Sequence, residues 1–242
     1  FIGQTFGWRV AFWIVAAFGV LSLAGVTALV PNRHDAGPTG LGHEVRVLKD
    51  PQVWIALTMT VLGFGGVFVV FTYIAPLAQE VNVGQALLPA VLLGFGIGAA
   101  IGNYGGGQLA DRLGATTTVI ASTLLTALVL MLLSVVPHLP TGLAGAAFFA
   151  LMIPWGIVAW SLPPAQASRV VKLAPDAAPL ALSLNASALY LGVALGSVVG
   201  GEVMTYEGPA SLGWIGALFP LAATGVIALT RPALRLTEAR LG

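Results

Sequence analysis

Few side chains in this sequence can do chemistry. Three histidines, His34, His43 and His138, and no cysteine leave little for a soft metal ion. No histidine has a partner at metal-ligand spacing and each falls in a connection between apolar stretches, so neither a metal site nor a disulfide is expected. The chain has no H-E-x-x-H, no G-x-S-x-G, no phosphate loop and no paired aspartates within an apolar stretch, which argues against an enzyme. What remains is recognition chemistry that needs no cofactor. Phe64, Phe68, Phe71, Tyr73, Trp155 and Tyr190 offer aromatic rings, Met152 a thioether, Thr72 a hydroxyl and Asn185 an amide.

These groups sit in seven apolar stretches, 10–30, 53–75, 87–110, 115–136, 142–164, 179–203 and 212–230. At 1.5 Å per residue each helix would cover about 30 Å, the thickness of a bilayer's hydrocarbon core. Composition agrees: 8% of residues are charged, against about 25% in a soluble domain. Inside lipid the backbone must satisfy its own hydrogen bonds, so the expected fold is an all-α, polytopic membrane helix bundle with lipid as its surroundings.

Threading the stretches alternately puts nine of the ten lysines and arginines on one side, all but Arg9. The opposite side carries Glu80, Glu202 and Glu207. The positive-inside rule therefore predicts a multi-pass membrane protein with a cytoplasmic C-terminus. The near-zero net charge gives no reason to expect nucleic acid as a partner. The opening segment reads as the end of a loop already under way, and the first stretch lacks a signal peptide's basic leader. A true span is expected there, in a chain preceded by further sequence. The expected organisation is 1–30 as an outer loop and span, 31–52 as a cytoplasmic linker, 53–230 as a six-helix bundle and 231–242 as a cytoplasmic tail.

The six-helix portion divides into triplets, 53–136 and 142–230. The middle span of the first carries Gly94, Gly98 and Gly102, and that of the second Gly192, Gly196 and Gly200. Spacing by four sets each trio on one helix face, where another backbone can approach closely. Gly63, Gly65 and Gly66 are expected to interrupt one leading span, and Pro154 with Gly156 the other, at similar depth. Three spans per triplet invert the second relative to the first, and inverted repeats with paired breaks point to a secondary transporter.

Between the third and fourth spans runs Gly107-Gln108-Leu109-Ala110-Asp111-Arg112-Leu113-Gly114. This resembles the G-x-L-a-D-R-x-G signature of the major facilitator superfamily, in which Gly107, Asp111, Arg112 and Gly114 would form a gating turn. Further basic residues that usually follow the motif's stronger copy are replaced by Ala115 and Thr116. The stretches 71–76, 180–185 and 191–196 resemble the twelve-helix drug:proton antiporter branch, the group of chloramphenicol-resistance, arabinose-efflux and purine-ribonucleoside-efflux proteins. That resemblance covers the whole chain. It implies that the seven spans are helices six to twelve, that the N-terminal half of the same chain is missing, and that two bundles rock about a central site.

The resemblance also implies that the leading span of each triplet lines a substrate cavity. The candidates are Phe64, Phe68, Phe71, Thr72, Tyr73, Met152, Trp155, Asn185 and Tyr190, a mostly apolar wall suited to a moderately hydrophobic small molecule, uncharged or cationic. For any single phenylalanine, contact with lipid or a neighbouring helix is an equal alternative. No acid or base lies deep in a span, so the site of a coupling proton is expected in the portion that precedes Phe1. The implied function is proton-coupled efflux of a drug, sugar or nucleoside across a bacterial inner membrane by alternating access. The alternative is a membrane-embedded binding or sensory protein without vectorial transport.

Overall fold

A computed structural model describes residues 8–29 and 48–241. The chain divides into two compact units, Phe1–Gly40 and Leu41–Gly242. The linker from 31 to 47, with Arg33, His34, His43 and Arg46, lies outside the described residues, as do the side chains of Arg231, Arg235 and Arg240. In the first unit, α1 (Trp8–Leu29) is one helix. Its apolar side chains, Phe12, Trp13 and Phe18 among them, are exposed all round, as on a surface meant for hydrocarbon.

The second unit contains α2 (Pro51–Phe71), α3 (Ile74–Glu80), α4 (Leu88–Leu113), α5 (Ala115–Val135), α6 (Thr141–Trp160), α7 (Leu162–Leu173), α8 (Ala178–Tyr206) and α9 (Leu212–Leu241). Among the described residues, seven stretches of helix across the two units are long and apolar enough to cross a membrane, Thr141–Leu173 counting as one. Helix starts follow local rules. The Asp50 carboxylate accepts from the Gln52 backbone N–H at 2.8 Å, and Pro51 opens α2 where its missing N–H costs nothing.

The expected interruptions are displaced. Gly63, Gly65 and Gly66 sit within an unbroken α2, and Pro154 and Gly156 within an unbroken α6. In lipid a freed backbone group finds no water, so the helix continues, and glycine serves close packing instead. A Cβ on Gly65 would meet the Phe219 ring at 2.7 Å, and one on Gly66 the Pro220 side chain at 2.6 Å. The actual breaks fall later, at Thr72–Tyr73 and at Ser161. Each precedes prolines, Pro76 in one case and Pro163-Pro164 in the other. A proline ring clashes with the carbonyl four residues back, and those carbonyls belong to Thr72, Ala159 and Trp160.

Two other boundaries also move. The connection expected at 111–114 shrinks to Gly114 alone, because α4 runs on to Leu113. Gly114 has φ 89° and ψ 142°, a conformation that only glycine adopts without strain, and this reverses the chain in one residue. The connection expected from Ala165 is largely helix α7, whose Ala165, Gln166 and Val170 are fully buried.

The triplets exchange partners. Helix α2, leading the first, packs along α8, the middle helix of the second; α6, leading the second, packs along α4, the middle of the first. The trailing helices α5 and α9 pack on each other, tied by Thr123 and Thr224 hydroxyls 3.1 Å apart and by the Ser134 hydroxyl accepting from the Trp214 backbone N–H at 2.7 Å.

Candidate functional site: an aromatic wall across the leading helices

Close approach of α4 to α6 and of α8 to α2 positions the site. A Cβ on Gly98 would collide with the Ile153 carbonyl and one on Gly102 with that of Ile157; Gly94 faces Met152 at 3.4 Å. On the other side Gly192 faces the Val61 carbonyl at 2.5 Å, Gly196 collides with that of Gly65, and Gly200 faces that of Val69 at 2.6 Å. Both glycine faces are therefore occupied inside the bundle.

Along the seam between α2, α4 and α6 the aromatic residues form a continuous series. Trp160 meets Phe64 edge-on at 6.3 Å between ring centroids, Phe64 stacks on Phe68 at 6.5 Å, and Phe68 meets Phe71 at 5.5 Å. Phe71 then contacts Phe95 at 4.7 Å and Trp155 at 6.2 Å, and Phe95 and Trp155 close the group at 4.8 Å. Such pairs contribute about 0.5–1.5 kcal/mol each beyond their buried area. Phe68, Phe71 and Trp160 are half-buried, whereas Trp155 is fully buried. Its indole N–H has no acceptor among the described residues. An open groove of about 470 Å³, lined by Ala99, Ala100, Asn103, Tyr104 and Trp160, reaches the series at its Trp160 end.

The remaining candidates separate from this wall. Thr72 and Tyr73 hold the tip of α2 to α8: the Thr72 and Ser197 hydroxyls are 2.8 Å apart, and the Tyr73 hydroxyl donates to the Ser197 carbonyl at 2.9 Å. Asn185 belongs to a buried network nearer the other end, its Oδ1 accepting from the Thr60 hydroxyl at 2.7 Å. There Gln166 donates through Nε2 to the Ala56 carbonyl at 2.6 Å and to Thr60 Oγ1 at 3.0 Å. Met152 is fully buried against α4, and Tyr190 is 71% exposed on the outside of α8. Of the nine, Met152 and Trp155 share one buried cluster, with Phe68, Phe71 and Tyr73 packed against it. Phe95, Trp160, Ser197, Thr60 and Gln166 join the nine, none singled out by sequence.

Asp111 and Arg112 are exposed on the last turn of α4, Gly107 is half-buried, and the Gly114 carbonyl accepts from the Thr118 backbone N–H and hydroxyl, both at 3.1 Å. Around this turn a cavity of about 430 Å³ is lined by Gln52, Thr116, Thr117, Arg169 and Lys172, among others. Among the described residues no group of histidine and acid side chains could hold a metal ion.

An all-α bundle of bilayer-crossing helices, with triplets that exchange partners and a groove leading to an aromatic seam, defines a polytopic membrane protein. The model of the Major Facilitator Superfamily matches residues 1–197 and 69–240. The chain belongs to that superfamily. It is 36% identical over 205 residues to the inner membrane transport protein YdhP of Escherichia coli strain K12, covering 84% of this chain and 51% of that protein. It is 34% identical over 230 residues to the MFS-type transporter YtbD of Bacillus subtilis, covering 92% and 56%. A third relative, from Mannheimia succiniciproducens and named as a probable sugar efflux transporter, is 29% identical over 227 residues, covering 93% and 55%. The chain spans about half the length of the curated relatives it matches.

Proposed function

We propose that this chain supplies helices six to twelve of a two-bundle secondary transporter, and that the whole exports small organic molecules of the drug, sugar or nucleoside class by alternating access, driven by protons. The observation that carries the reading is the exchange of partners between the triplets, α2 on α8 and α6 on α4. Inverted repeats of this kind bring their two leading helices to one wall near the bilayer midplane, where secondary transporters hold substrate. The wall here is aromatic and uncharged, which suits a neutral or weakly amphiphilic molecule. The relatives' names, inner membrane transport and sugar efflux, support the same reading. On it, the end bearing Arg112 and Lys172 faces the cytoplasm and the coupling proton is carried by the other bundle.

The test is accumulation of a radiolabelled sugar, a nucleoside and an amphiphilic drug by cells with and without the full-length protein, each with and without a protonophore. Lower accumulation of at least one compound, abolished by the protonophore, is the expected result. Equal accumulation of all three under every condition would overturn export.

A further inference from the structure

The indole N–H of Trp155 lies buried in the aromatic seam with no acceptor among the described residues. A buried donor left unpaired costs about 1–3 kcal/mol, more than the net gain from an ordinary hydrogen bond, so such a group is retained where some other state satisfies it. Phenylalanine would keep the ring contacts with Phe71 and Phe95 and remove the donor; this position carries the donor nonetheless. Gln166 Oε1 is also buried without a partner, but its amide nitrogen makes two hydrogen bonds that fix its place in the bundle. Trp155 has no such second polar anchor.

Its surroundings limit what could bind. Phe71 and Phe95 flank the indole within 6.2 and 4.8 Å, leaving aromatic faces against which an apolar ring or a sugar's C–H face would pack. Phe71 is half-buried, is the last residue of α2 directly before the break at Thr72–Tyr73, and sets its ring edge-on to the indole. No ionisable side chain takes part in the seam, and an unpaired charge would be costly to bring there.

We propose that Trp155 is a specificity-determining residue whose N–H donates to a carbonyl, ether or hydroxyl oxygen of an uncharged substrate that displaces the Phe71 ring. This rests on reading the α2–α6 wall as the substrate site. It narrows the substrate class to neutral molecules that combine an apolar face with a hydrogen-bond acceptor.

The test uses the full-length protein with ¹⁵N-labelled indoles and follows the Trp155 N–H resonance during titration with three probes of nearly one shape. Acetophenone carries a carbonyl acceptor, α-methylstyrene replaces that oxygen by a methylene group, and benzoate adds a charge. The resonance is assigned by its loss in Trp155→Phe or, if that variant does not fold, by removing the other tryptophans singly. Acetophenone should shift the resonance downfield in a saturable manner and well beyond the ring-current shift that α-methylstyrene produces, while benzoate leaves it in place. Ring-current effects are shared by acetophenone and α-methylstyrene, so their difference reports the hydrogen bond alone. Equal shifts with those two probes, a shift with benzoate as large as with acetophenone, or a resonance that no probe moves would overturn the assignment. Loss of export in cells with a normal titration would instead overturn the transport reading and leave the donor role standing.

Discussion

Gly98 and Gly156 cross so closely that a Cβ built on Gly98 would stand 3.1 Å from the Gly156 Cα, and the same separation relates Gly196 to Gly65 in the other half of the bundle. One crossing joins α4 to α6 and the other α8 to α2, so the two contacts are repeat-related. Without a hydrophobic effect between helices in lipid, association depends on such close packing.

Gly98→Ala and Gly196→Ala should therefore destabilise the bundle, by roughly 1–3 kcal/mol as is usual for overpacking. Gly96 and Gly105 face open space on the same α4. Gly96→Ala should be neutral or stabilising by up to about 1 kcal/mol, since alanine restricts the unfolded chain. Thermal unfolding in detergent reads both. Equal unfolding temperatures for Gly98→Ala and Gly96→Ala would mean that the crossing is not this tight.

The tip of α2 should depend more on Tyr73 than on Ser197. Tyr73 donates to the Ser197 backbone carbonyl, which Ser197→Ala retains, whereas Tyr73→Phe removes the donor. Hydrogen exchange at 71–75 should rise in Tyr73→Phe and change much less in Ser197→Ala. The reverse order would place the hold in the contact between the Thr72 and Ser197 hydroxyls.

The buried network should show coupling between α2 and α8. Thr60 donates to Asn185, and Gln166 donates to Thr60. A double-mutant cycle with Thr60→Val and Asn185→Leu should give an interaction of about 0.6–1.7 kcal/mol, the range found for interhelical hydrogen bonds in membranes. Strict additivity would show that the two side chains act independently.

How much of this was legible follows from what each residue signals locally. The spans, the triplets and the glycine faces are periodic, and periodicity survives in a sequence. Gly65 and Gly156 read locally as breaks because glycine marks both a weak point in a helix and a place where another helix crosses; only the partner backbone decides between them. Gln166 was hidden by Pro163-Pro164, which resemble the end of a span although prolines also open α7. Phe95 and Trp160 carried no pattern, since their membership of the seam depends on α4 meeting α6 and α2. Spacing groups the nine cavity candidates by helix and not by helix face, so Tyr190, exposed on α8, falls in with residues that pack inside the bundle.

Gly114→Ala should shift the start of α5 or unfold it, at a cost of about 1–3 kcal/mol, because its φ of 89° forces a side chain into a sparsely allowed region. Amide exchange over 115–118 is the readout, and unchanged protection there would show that the turn adapts.

Alternating access is tested most directly at Phe68, a half-buried member of the aromatic wall. The chain has no cysteine, so with any cysteines elsewhere in the full-length protein replaced, Phe68→Cys provides a single thiol at the depth of the wall. A small membrane-impermeant thiol reagent is applied to right-side-out vesicles and, separately, to inverted ones. Labelling from both sides is expected, since a wall that opens alternately meets each solution in turn. Labelling from one side only, or from neither, would contradict an alternating-access transporter and leave a static binding wall.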